Sequence, residues 1–262
     1  MPEDLPKGQE VRTYFVRGRN ALLARADFAD LYIDYYLKLA DIQLRHDSQV
    51  DQMLKDAAAA LILHCASKPW NEAVAWTIHF QNPLANFFVT GNNADGTVIG
   101  NAFQEEVKDV GKNLFFSDVV RGTDPVQRSV VEFGESTVFP AVESFYTQSE
   151  QRSARFFHHS EEDIVMISAQ PDCDLEWLAA LDEAAVRKLD QTEELSLLEQ
   201  REYRWQCGCS NEKILAAIAP AARNDLGALF ENDETIRIRC PRCGARHVLT
   251  RESVEAFLAA NA

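Results

Sequence analysis

Apolar and polar positions divide the chain into helical stretches and alternating ones. Over residues 27–46, Phe28, Leu31, Tyr32, Tyr35, Leu39 and Ile42 recur at helical spacing and predict a helix with one apolar face. A clearer stripe follows, made of Val50, Met53, Leu54, Ala57, Ala58, Leu61, Ile62 and Cys65. It predicts a second helix that Asp47 or Ser48 caps and Pro69 ends. Cys65 falls on its buried face, as a small core residue does. Ahead of both helices, alternation around 11–16 predicts a first strand. Behind them, strands are expected over 74–80, 87–90, 98–103, 114–120 and 130–133. Asn92-Asn93-Ala94-Asp95-Gly96 reads as a hairpin connection, because Asn and Asp-Gly accept the positive φ that a tight turn demands. A helix over 137–148, with Ser136 placed to cap it and Val142, Phe145 and Tyr146 turned inward, precedes two more strands at 154–157 and 163–168. Helices grouped before a sheet, rather than alternating with its strands, imply an α+β fold.

Residues 172–206 change character. Leu175, Leu178, Ala185 and Leu189 predict an amphipathic helix, and Leu195, Leu197 and Leu198 add apolar surface to a stretch with ten acidic and four basic side chains. Such a segment gains little from its own propensity and needs a surface to dock on. The chain is therefore divided into an N-terminal sheet-and-helix domain (1–171), an amphipathic helical linker (172–206) and a small C-terminal domain (207–262). In the last, Ser210 is placed to cap a helix over 211–218, a second helical piece falls at 225–230, strands at 235–239 and 246–249 pair, and Thr250 caps a final helix over 251–260.

The chemistry concentrates in that C-terminal segment. Cys207-Gly208-Cys209 and Cys240-Pro241-Arg242-Cys243 form two tight thiol pairs beside turn-forming residues, thirty residues apart. A tetrahedral metal ion requires this of a chain that wraps around it, so Cys207, Cys209, Cys240 and Cys243 are read as one four-thiolate zinc site. Two roles stay open. The metal can staple a segment whose core is too small to fold alone, or the thiolates, being the form that oxidants attack, can act as a sensor whose oxidation expels the metal. The spacing supports two local disulfides, Cys207–Cys209 and Cys240–Cys243. His247, four residues past Cys243, is the alternative ligand in place of one thiolate. His158 and His159 with Glu161 and Glu162 read instead as a solvated turn, since adjacent histidines on extended chain point to opposite faces.

Charge and composition narrow the partners. The formal charge is −15, and residues 207–262 hold seven acidic and seven basic side chains, so the acidic excess lies on residues 1–206. That distribution repels phosphate backbones and anionic lipid. No apolar run approaches the ~20 residues of a membrane span, and the start, with Pro2, Glu3, Asp4 and Pro6, lacks the basic and apolar blocks of a secretory signal. A soluble, cytoplasmic protein is expected, in a compartment where thiols stay reduced. Nucleophile-elbow, dinucleotide, Walker and paired-histidine protease motifs do not occur, so no catalytic residue is assigned and an enzyme is not expected.

With these residues laid out, the chain resembles the bacterial redox-regulated chaperone family called heat shock protein 33. Cys207-Gly208-Cys209-Ser210 and Cys240-Pro241-Arg242-Cys243 look like that family's C-x-C-S and C-x-x-C halves, and Phe145-Tyr146-Thr147-Gln148-Ser149-Glu150-Gln151 looks like its Y-F-x-Q-S-E-Q stretch. Val130 to Glu135 also follow the family pattern; similarity over 47–103 is weaker. The resemblance implies an ATP-independent holdase with one zinc ion per chain. It is inactive while reduced and zinc-bound, and active once oxidation forms two disulfides and releases the metal. It further implies unfolding client proteins as partners, a monomer when reduced and a homodimer when oxidised. Two departures stand out: residues 172–206 look shorter than the family's linker, and Ile99-Gly100 stands where members often carry Arg-Gly. The shortening bears on the redox-linked unfolding more than on the metal.

Other classes fit parts of the pattern. A zinc-stapled interaction protein, or a constitutive chaperone, would share the cysteines without a redox gate. A thiol-disulfide enzyme usually carries C-x-x-C at a helix start, whereas Cys243 leads to Gly244 and a strand. A nucleic-acid ribbon would use Arg237, Arg239, Arg242 and Arg246, against the acidic body.

Overall fold

The computed structural model describes residues 8–231 and 233–261; the reading of Pro2, Glu3, Asp4 and Pro6 lies outside them. Its elements run β1 (Gln9–Val16), β2 (Ala21–Asp27), α1 (Ala29–Asp41), α2 (Ser48–Ala66), β3 (Glu72–Gln81), β4 (Leu84–Asn92), β5 (Thr97–Phe103), β6 (Asn113–Arg121), β7 (Gln127–Phe133), α3 (Val138–Gln148), β8 (Ala154–His158) and β9 (Asp163–Ala169). Then come α4 (Leu175–Ala180), α5 (Glu183–Val186), α6 (Leu189–Thr192), β10 (Leu195–Trp205), α7 (Asn211–Asn224), α8 (Leu226–Phe230), β11 (Thr235–Arg239), β12 (Arg246–Thr250) and α9 (Arg251–Ala260). The fold is α+β, as the grouping of patterns implied.

Ten strands form one sheet in the order β7-β6-β3-β4-β5-β10-β1-β2-β9-β8, antiparallel except where β10 meets β5. The main core lies on the face covered by α1, α2 and α3. From Ala57 to Ala66 every residue of α2 is buried, as expected of a helix that is apolar all round. Its cap is Asp47, which accepts from the amides of Gln49 and Val50. The connection Asn92–Gly96 joins β4 to β5 with Gly96 at φ +62°.

Three expectations are corrected. Ser136 does not cap α3: the N-cap position falls on Thr137, with no side-chain hydrogen bond. A second strand, β2, pairs between β1 and β9 where none was expected. Most consequentially, the linker is not helical throughout. Its first half forms α4, α5 and α6, and Leu178, Leu181, Val186 and Leu189 of this stretch bury themselves on the second face of the sheet against Val16, Leu23, Val165 and Ile167. Its second half is β10, a central strand of the body sheet. The reason is pairing: β10 runs antiparallel to β1 from Gln9↔Tyr203 to Val16↔Leu195 and fills backbone groups of β1 that a helical Leu195–Trp205 would leave open in the middle of the sheet. Strand β9 serves both faces by alternation, with Ile164 and Met166 in the main core and Val165 and Ile167 under the linker helices.

Beyond Trp205 the chain forms a small second unit. Its core holds Ala222, Phe230, Leu249 and Val254 as buried residues, with Ile214, Ile218, Ile236 and Leu258 packed against them. The two-stranded hairpin β11–β12 turns His247 and Leu249 inward and leaves Arg237, Arg239 and Arg246 on its exposed face.

Candidate metal centre

A single residue, Gln206, separates the end of β10 from Cys207. The amide of Gln206 donates to Val98 O at 2.9 Å, and that of Arg204 to Gly96 O at 2.8 Å, so the sheet itself aims the first cysteine pair. Gly208, at φ +60°, turns the chain between Cys207 and Cys209. Ser210 then caps α7 by accepting from the Lys213 amide. The second pair sits in a tight knuckle, in which Cys240 N donates to Ala245 O and Gly244 N to Cys240 O, each at 2.8 Å. Gly244, at φ +73°, faces Ile42, Leu44 and Asn101, and a side chain there would press on the body.

These elements bring all four cysteines together. Their sulfurs lie within 4.8 Å of one another, with Cys207 Sγ 3.7 Å from Cys240 Sγ and Cys209 Sγ 3.6 Å from Cys243 Sγ. Four sulfurs about 2.3 Å from a central ion would stand about 3.8 Å apart at the corners of a tetrahedron. The arrangement therefore suits a metal ion, and it is the one cluster among the described residues able to hold one. Cys240 and Cys243 are buried, and Ile99 and Trp205 complete the apolar shell.

Left to themselves, the four thiols do not all ionise. Hydrogen bonding, chiefly from Cys243, pushes the Cys207 thiol down to about 5. Cys243 is pushed up, because it keeps the proton it gives to Cys207, and burial pushes Cys209 up to about 11. A cation in the centre would reverse that balance, since it would stabilise each added thiolate.

A family model described as Hsp33 protein matches residues 166–250. The 33 kDa chaperonin of Shewanella sediminis is 19% identical over 247 residues, covering 81% of this chain and 84% of the relative. That of Caldanaerobacter subterraneus is 29% identical over 68 residues, 26% of this chain and 23% of the relative. A crystal structure of the Thermotoga maritima 33 kDa chaperonin, a heat shock protein 33 homolog, superposes with a TM-score of 0.73 at 14% identity, covering 97% of this chain and 99% of that one. Residues 166–250 thus carry the Hsp33 pattern, and the chain is similar to 33 kDa chaperonins over most of its length.

In the other Hsp33-like stretch, Phe145–Gln151, Phe145 and Tyr146 belong to the main core and not to the apolar shell of the sulfurs. Phe145 stacks on Phe115, and Tyr146 meets His64 Nδ1 through its hydroxyl at 2.7 Å. Glu150 pairs with Lys68. His158 and His159 stay apart from any metal cluster: His159 engages Arg25 and Asp163, and His158 lies 3.9 Å from Asp56. His247 stands outside the donor set, with Nε2 3.4 Å from Cys209 Sγ. The sequence marked it only as a substitute ligand; nothing in its spacing signals a contact with one chosen sulfur. Trp205 was likewise not singled out, although it belongs to both the body core and the apolar shell of the centre.

Proposed function

We propose that this protein is an ATP-independent holdase whose activity is gated by thiol oxidation. In the resting state Cys207, Cys209, Cys240 and Cys243 hold one zinc ion as thiolates. Zinc fits because it takes four sulfur ligands in a tetrahedron and has no redox chemistry of its own. When bound, it supplies charge neutralisation and a cross-link between the two halves of the tail. Oxidation pairs Cys207 with Cys209 and Cys240 with Cys243, and leaves no thiolate to hold the metal. The tail core, with four buried residues, is too small to persist without that link.

The observation that carries this reading is the join at Gln206: the first metal-binding cysteine begins one residue after a strand of the body sheet. Loss of the tail therefore acts directly on β10, whose Leu197 and Leu198 are already more than half exposed, and on the linker helices before it. Body, linker and tail act as three units in this scheme, with apolar surface uncovered from the linker to receive unfolding clients. We assign no catalytic residue and place the protein in the cytoplasm, monomeric when reduced and dimeric when oxidised. The test is suppression of light scattering by a thermally unfolding client enzyme. Peroxide-treated protein should suppress it and reduced, metal-loaded protein should not; equal activity in both states would overturn the gate.

A second reading, a metal staple without a gate, draws on the burial of Leu178, Leu181, Val186 and Leu189 against the sheet, which holds the linker helices independently of the tail. Cys240→Ser in reduced protein separates the two. A gated holdase becomes active or primed on losing the metal, whereas a stapled module loses stability alone.

A further inference from the structure

A polar side chain outside the donor set also touches the centre. The His247 ring has Nε2 3.4 Å from Cys209 Sγ and Nδ1 2.8 Å from Asn211 Oδ1, and the residue is 9% exposed. Its position follows from the hairpin. Strand alternation sends Arg246 and Val248 to solvent and turns His247 inward, while Asn211 opens α7 two residues after Cys209. The ring is thus held between the helix that leaves the first thiol pair and the strand that leaves the second.

Beside a thiolate, which can only accept, the ring has to present an N–H at Nε2, and both the neutral Nε2–H form and the imidazolium do so. A neutral imidazole donating from Nε2 accepts at Nδ1, and Asn211 serves it by turning its amide NH2 to the ring. An imidazolium donates from both nitrogens, to Asn211 Oδ1 and to the sulfur. Two other sulfurs receive donors from the backbone: the Cys209 amide reaches Cys207, and the Ala245 amide reaches Cys243. Cys209 takes its donor from a side chain, which makes it the adjustable one of these three.

We infer that His247 is a positioning residue that lowers the reactivity of the Cys209 thiolate and so sets the oxidant threshold of the centre. The inference rests on the four-thiolate site proposed above. When a thiolate meets a peroxide, a sulfur lone pair attacks one oxygen. The S–O bond forms, the O–O bond breaks and hydroxide leaves, with sulfur oxidised and peroxide reduced. An N–H hydrogen bond draws charge from the sulfur, and nucleophilicity falls with it.

The test compares wild type, His247→Phe and His247→Gln as full-length protein loaded with Co(II) and, separately, with Zn(II). The thiolate-to-cobalt charge-transfer band reports charge on the sulfurs, and a chromophoric chelator reports Zn(II) release under peroxide. His247→Phe should move the band to lower energy and speed release roughly threefold to tenfold, the scale of one ordinary net hydrogen bond. His247→Gln, which keeps an N–H, should restore most of both. If Phe and Gln behave alike, or if neither band nor rate moves, the inference is overturned while the metal site stands. If wild type shows no four-thiolate cobalt spectrum, the site reading itself fails.

Discussion

The indole of Trp205 meets the phenol ring of Tyr35 edge-on, with centroids 5.3 Å apart and planes at 79°. Tyr35 is in turn fixed by its hydroxyl, which donates to Asp51 Oδ1 at 2.7 Å. Through this contact α1 grips the last residue of β10, two residues before Cys207, and the body core becomes continuous with the apolar shell of the sulfurs. Trp205→Ala should therefore weaken the join rather than the body. We expect a loss of about 2–3 kcal/mol, at the lower end for a large aromatic because Trp205 is only partly buried. Metal release on gradual warming, followed with a chromophoric chelator, should begin at lower temperature than in wild type. An unchanged release curve would show that the contact carries no coupling.

Gly96 performs a related task on the other side of β10. Its φ is +62°, and a Cβ there would stand 2.5 Å from Glu202 O, inside the strand that leads to Cys207. Gly96→Ala combines left-handed strain with a backbone clash, and should cost roughly 2–4 kcal/mol. Hydrogen exchange should locate the loss: the amide of Arg204, which donates to Gly96 O, should exchange faster while those of α2 keep their protection. Uniform loss of protection across the body would contradict this placement.

His64 gives the body a dependence on pH. It is fully buried among Trp76, Phe145 and Tyr146, and burial holds its pKa well below the usual histidine range. Above about pH 6.5 the ring is neutral in folded and unfolded chains alike, and contributes no pH dependence. As pH falls through that value the unfolded chain takes up a proton that the folded one refuses, so stability declines, by up to about 1.4 kcal/mol per pH unit. Urea unfolding at pH 7.5 and 5.5 should show a steeper decline in wild type than in His64→Asn. Equal slopes would mean that the ring protonates in place.

Much of this was legible in the sequence, for identifiable reasons. Helix α2 declares itself because its stripe runs unbroken from Val50 to Cys65 and Asp47 caps it. The four sulfurs are legible because their spacing is local chemistry. What escaped depends on distant pairing. Strand β2 reads Ala-Leu-Leu-Ala-Arg-Ala-Asp, poor in β-branched and aromatic residues, and is a strand because β1 and β9 flank it. Strand β10 carries acidic residues among its leucines and takes its form from β1, nearly 190 residues earlier. The contact of His247 with Cys209 depends on the register that sets His247 opposite Ile238, which no spacing encodes.

The most direct measurement counts zinc and free thiols on the same sample before and after peroxide under mild warming. The account predicts one zinc per chain at the start. After oxidation, that zinc should be released in step with the loss of four thiols, with peptide mapping placing the disulfides within each pair. Protein that loses the four thiols yet retains its zinc, or that never held zinc at these cysteines, would contradict it.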